Sequence, residues 1–254
     1  MVIWLSLTIA LVINFLLFQV AFRRQSDKLT DFAYALSFIV VTLSAFSLSP
    51  HKTGASLVAS ILVLIWALRL GSFLVLRIRK SSHDKRFDEI RGNYFKFLKF
   101  WLGQGLVAWL LLLPLLFMLS RNSEWSWLVI VGVVVWAIGF IIETIADTQK
   151  YRFNSVTKNR GHWISSGIWH YSRHPNYFGE ITIWVGMYII AFSGLPLFEK
   201  LIGLVSPVAI FVTLRFISGV PILEKSADKK WGDDTSYKKY RDNTPLLIPW
   251  PHIK

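Results

Sequence analysis

The residues best equipped for chemistry lie in the stretch Ser172-Arg173-His174-Pro175-Asn176-Tyr177-Phe178-Gly179-Glu180, between two runs apolar enough to cross a bilayer. Guanidinium, imidazole, amide, phenol and carboxylate are gathered there at a membrane boundary, where ionisable groups need a partner or a ligand. Asn176 and Glu180 are four apart where a helix would begin, so they share one face. Upstream, Glu143 and Asp147 repeat that spacing at the polar end of another apolar run, with Lys150 three residues on. Two carboxylates on one helical face beside cations can hydrogen-bond a ribose, a carboxamide or an amine. They can equally serve as counter-ions for Arg69 or Lys150. Arg160, His162, Ser165, Ser166 and Gly167 join the two segments as a donor-rich connection of the kind that suits a nucleotide phosphate.

A third group comes from an earlier apolar run. Arg69, Phe73 and Arg77 follow at steps of four and line one helical face. Arg77 can snorkel to the interface, whereas Arg69 lies deeper and must find a partner inside the bundle. Arg79, Lys80, Lys85 and Arg86 then form a basic loop, interspersed with Asp84, Asp88 and Glu89, that could hold a phosphate. Other chemistries find less support. His170 and His174 have a helical metal-ligand spacing, but Pro175 disfavours a helix at His174 and no third ligand is evident. There is no G-x-S-x-G turn and no G-x-G-x-x-G fingerprint, and with no cysteine neither thiolate metal sites nor cysteine nucleophiles are available.

These groups must be positioned by an all-α integral membrane protein. Of 254 residues 54% are apolar, with 12 Trp, which is too apolar for a soluble domain of this length. The apolar runs predict seven spans, at about 2–22, 32–48, 56–76, 97–119, 127–146, 181–191 and 201–220. The sixth is short, so it either begins earlier, inside the motif, or is broken at Gly194-Leu195-Pro196. Arg23 and Arg24 follow the first run and no cation precedes it, the reverse of a signal peptide, which puts the N-terminus outside. Seven spans then place 23 Lys and Arg on the cytosolic side against three outside, with the tail from residue 221 cytosolic as well. The net charge of +13 is thus a matter of membrane topology and not of nucleic-acid binding. Without internal repeats or low-complexity linkers, residues 1–254 read as one domain.

Taken together, the Ser172–Glu180 motif, the Glu143–Lys150 segment, Trp66 to Gly71 with Asp84 to Phe87, the Ser218–Pro221 turn and the Ile248-Pro249-Trp250 ending resemble the steroid 5-alpha-reductase-like membrane reductases. The likeness runs from about residue 57 to 250. It implies a seven-helix membrane enzyme that binds NADPH from the cytosol and reduces an activated carbon-carbon double bond of a lipophilic, steroid-like molecule. Cofactor contacts fall on Arg69, Arg77, Glu143, Asp147, Lys150, His162, Arg173, His174, Asn176 and Glu180. The family's substrate-holding Tyr is here Trp66, and the second span has no Glu, so the proton donor is open among Tyr177, Tyr188 and Tyr34, with Trp66 bordering the substrate. The expected location is a multi-pass membrane, the inner membrane in a prokaryote, with the site facing the cytosol.

Isoprenylcysteine and phospholipid methyltransferases, which use S-adenosylmethionine, share an Arg-His-Pro followed by Tyr and Gly and a downstream Glu, which Glu224 imitates. Against them stand the Glu143–Lys150 segment and the extra cations, since a 2′-phosphate calls for positive charge and a sulfonium does not. A lipid-binding scaffold would explain the basic loops but not three carboxylates beside them.

Overall fold

The computed structural model describes residues 1–80 and 87–250, apart from the side chains at 75 and 77–80. Lys85 and Arg86 of the basic loop, and the side chains of Arg77, Arg79 and Lys80, lie outside the described residues. The chain folds into α1 (Val2–Arg23), α2 (Thr30–Leu48), α3 (Gly54–Lys80), α4 (Asp88–Arg91), α5 (Tyr94–Leu119), α6 (Trp127–Ser155), α7 (Pro175–Phe192), α8 (Leu197–Gly203), α9 (Val205–Val212), α10 (Val220–Trp231) and α11 (Thr235–Asn243), and there is no strand among the described residues. Helix is what long apolar runs require when no water is present to satisfy the backbone.

Six stretches are long and apolar enough to cross a membrane: α1, α2, Gly54–Leu74 of α3, α5, α6 and Leu197–Trp231. The expected sixth span, at 181–191, is not among them; it does extend backwards into the motif, because α7 starts at Pro175. That start brings Asn176 and Glu180 into its first two turns, and their polarity separates α7 from the six. The last apolar stretch is not one uniform helix: α8 and α9 are followed by a π-helical turn over Thr213–Ile217 before α10 begins.

The chain divides into two compact units, Met1–Gly132 with Met187–Ala209 and Val133–Gly186 with Ile210–Lys254. In the first, α1, α2, α3 and α5 pack on one another, and Leu111–Leu119 of α5 is buried all round. Phe18, Phe97 and Trp101 meet edge to face at its centre, geometry that adds about 0.5–1.5 kcal/mol per pair beyond area burial. Asn14, fully buried, donates through Nδ2 to Ala10 O at 2.8 Å and Ser37 Oγ at 2.9 Å, and accepts from Gln104 Nε2 at 3.1 Å. Three helices are thereby tied through one amide. At another place in this unit Arg121 donates two hydrogen bonds from Nε and one from Nη2 to Glu199.

In the second unit α6 and α7 run antiparallel at backbone contact. A Cβ on Gly139 would lie 2.6 Å from Gly179 O, and one on Gly179 would lie 2.6 Å from Glu143 N, so neither position tolerates a side chain unless the helices part.

Candidate functional site

The Gly179 contact sets the level of the carboxylates. Glu143 stands opposite Gly179, so by antiparallel register Asp147, one turn on, stands near Pro175. Both are nearly inaccessible, at 3% and 7% exposure. Pro175 opens α7 at its first position, where a missing N–H costs nothing, and His174 O takes the N–H groups of Tyr177 and Phe178. The spacing of Asn176 and Glu180 is therefore realised on one helix, while His174 stays outside it.

The connection between the helices folds back on α6. The Trp169 indole donates to Ala146 O at 3.1 Å, and the Lys150 ammonium sits 4.6 Å over that ring. Gly167 has φ +63°, and its N–H-rich turn closes on Gln149, whose Oε1 accepts from Ile168 N at 3.1 Å. Gln149, Arg152, Phe153, Ile164, Ser166 and Gly167 line a cleft of about 340 Å³ there. His162 is exposed in this connection and does not join the buried cluster.

Residues 171–174 are held by the tail. Arg173 N donates to Pro245 O at 2.9 Å, His174 N to Leu246 O at 3.1 Å and Ser172 Oγ to Leu247 O at 2.7 Å, while Trp250 N donates back to Tyr171 O at 3.1 Å. Tyr240 Oη adds a 2.8 Å bond to Trp169 O, and burial raises that phenol above its ordinary range.

Glu224, on the second turn of α10, completes the cluster. One carboxylate oxygen takes Arg173 Nη1 and the other lies 2.7 Å from His174 Nε2. Burial pushes the His174 imidazole below its ordinary 6.5 against the upward pull of Glu224, and the charges of Lys150 and Arg173 lower it further. Tyr177 stacks flat on His174, centroids 5.5 Å apart, and touches the backbone corner at Gly219. Three neighbouring polar atoms remain buried without a hydrogen-bond partner among the described residues: Arg173 Nε, His174 Nδ1 and Asn176 Oδ1.

The other sequence candidates lie elsewhere. Trp66 is 1% exposed and packs edge to face on Phe38, and Tyr34 also meets Phe38 edge to face. Tyr188 donates to Lys200 O at 3.0 Å and lies about 18 Å along α7 from Asn176. Arg69 is half-buried with its guanidinium 5.8 Å from the Phe73 ring, as their spacing of four required. These belong to the first unit. The sequence marks Glu224 only as the downstream carboxylate of the methyltransferase signature and residues 248–250 only as part of a resemblance. That Glu224 pairs with Arg173 and His174, and that residues 245–247 hold this corner, is not read from it.

Fold and site thus define an all-helical protein with six helices able to cross a membrane and a buried, incompletely satisfied polar cluster at the start of α7. The chain belongs to the family described as "Protein of unknown function (DUF1295)", whose model matches residues 17–244. No curated protein and no solved structure matches it.

Proposed function

We propose that this protein is a multi-pass membrane reductase that binds NADPH at the cytosolic side and reduces the conjugated carbon-carbon double bond of a lipophilic, enone-type substrate. The observation that carries the reading is the set of three buried polar atoms left open on Arg173, His174 and Asn176, next to the buried carboxylates of Glu143 and Asp147. A buried polar group without a partner costs about 1–3 kcal/mol, so such a cluster persists where a ligand supplies the missing bonds.

The residues fit the cofactor. Asn176 Oδ1 and the carboxylates of Glu143, Asp147 and Glu180 suit a carboxamide and ribose hydroxyls. Lys150, Arg152 and the turn at Ser166–Gly167 suit phosphate. When bound, NADPH supplies a hydride to the double bond. The protein's share is to fix that ligand, to exclude water, and to hold a donor for the developing enolate. Tyr177 is the phenol that stays at the cluster, stacked on His174. The apolar helices make the bilayer the natural route for the substrate.

The rival reading, an S-adenosylmethionine methyltransferase, gives the downstream carboxylate to the cofactor. Both oxygens of Glu224 are already taken by Arg173 and His174, which favours the reductase. Thermal unfolding of the detergent-purified protein with NADPH, NADH or S-adenosylmethionine tests this, because a ligand of the folded state raises the melting temperature. Stabilisation by NADPH well beyond NADH is expected. Stabilisation by S-adenosylmethionine alone would replace the reductase with the methyltransferase.

A further inference from the structure

We infer that Glu224 is a positioning residue: by holding His174 Nε2–H and Arg173 together, it fixes the imidazole tautomer that turns Nδ1 into a hydrogen-bond acceptor for a donor group on the bound ligand. The inference rests on the NADPH reading for the identity of that ligand, but its structural half stands alone.

The argument is one of counting donors and acceptors. Arg173 can only donate, and its Nη1 occupies one oxygen of Glu224. The other oxygen faces His174 Nε2 at 2.7 Å, and a carboxylate can only accept, so the proton sits on Nε2. A neutral imidazole has one N–H, and Nδ1 is then a bare lone pair. That atom is buried with no donor near it among the described residues, on a side chain only 5% exposed. The ring has no freedom to turn the lone pair elsewhere. His174 N is tied to Leu246 O and one ring face is covered by Tyr177. Asn176 Oδ1, two residues on, is likewise buried and unpartnered. Two open acceptors two residues apart suit a ligand group with hydrogens to give, such as a primary carboxamide or a pair of vicinal hydroxyls, with Arg173 Nε, also open, left to donate.

The same counting gives a specific variant. In Glu224→Gln one acceptor oxygen becomes an NH2 donor. Arg173 can use only the remaining oxygen, so the amide NH2 faces His174 Nε2, which must then accept. The proton moves to Nδ1, and the acceptor becomes a donor, with little change of shape.

The experiment is nitrogen NMR of the histidine-labelled full-length protein in detergent at neutral pH, with His174 assigned by the loss of its signals in His174→Asn, beside NADPH titrations of the same samples. Expected are a protonated Nε2 and bare Nδ1 in the wild type, inversion in Glu224→Gln, and at least tenfold weaker NADPH binding in that variant. A wild-type His174 that carries its proton on Nδ1, or on both nitrogens, would overturn the inference without a variant. So would unchanged NADPH affinity in a tautomer-inverted Glu224→Gln. The wild-type tautomer as expected with no NADPH binding at all would remove the reductase reading and leave the tautomer assignment standing.

Discussion

Two asparagines, one buried whole and one half-buried with its Oδ1 enclosed, show how differently a polar group can be treated in this chain. Asn14, in the first unit, spends its amide fully: Nδ2 on Ala10 O and Ser37 Oγ, Oδ1 on Gln104. Asn176, in the second, keeps Oδ1 buried with no partner among the described residues. The first arrangement is complete within the fold and serves as a clamp between helices. The second leaves an acceptor open. Burial of a polar residue in an apolar bundle therefore says little by itself, and single open atoms occur in the first unit too, on Thr42, Trp101 and Ser123; what sets the second apart is three of them within residues 173–176.

The largest effect should come from the contact beneath the open cluster. Gly179→Val forces a side chain into the backbone of Glu143 and should cost about 3 kcal/mol or more and abolish NADPH stabilisation, read as thermal unfolding in detergent. A variant with near wild-type melting and ligand response would mean that α6 and α7 do not need this approach. Next, Asn14→Ala should cost about 1–2 kcal/mol by stripping Gln104 and Ser37 of a shared partner. No loss there would erase the distinction between clamp and receptor.

A smaller change should follow acidification. The folded state holds His174 below its ordinary 6.5, so its contribution is full above that pH and is lost as the pH falls through the lowered value. The groups acting on it are Glu224, Arg173 and Lys150. Between pH about 7.5 and about 5.5 the wild-type melting temperature should drop more than that of His174→Asn, and parallel curves would show that the imidazole is not neutral in the fold. The smallest stability effect belongs to Asn176→Ala, within about 0.5 kcal/mol, since no bond of Oδ1 is lost. NADPH affinity should nonetheless fall about tenfold, about 1.4 kcal/mol. A large stability loss with unaltered affinity would make Asn176 another Asn14.

What could be read from the chain was what repeats locally. Apolar runs gave the long helices, and Pro175 followed by Asn176 and Glu180 four apart marked the start and face of α7. The spacing of Glu143 and Asp147 likewise survived as one buried face. Glu224 was associated with the Arg-His-Pro only through the methyltransferase signature, and its ion pair with residues fifty positions away has no local period to predict it. The backbone bonds of residues 245–247 have none either, since they depend on the shape of the loop they meet. Gly139 looked like an ordinary member of an apolar run and Gly179 like one more residue of the polar motif, and only the register of the antiparallel pair gives them their meaning. The six apolar stretches against seven expected spans have the same origin: the residues that make α7 useful also make it polar.

The hydrogen bonds from residues 172–174 to the tail have a consequence in time. Ser172 and its acceptor Leu247 are 75 residues apart. At a translation rate of about 5–20 residues per second, the acceptor is made roughly 4–15 s after the donor. During that interval the Arg173–His174 corner lacks the carbonyls that later define it, so nascent chains acquire their helices before they acquire their cluster. A pause or truncation within that window would leave a protein inserted in the membrane but unfinished at the corner where Arg173, His174 and Asn176 keep open polar atoms.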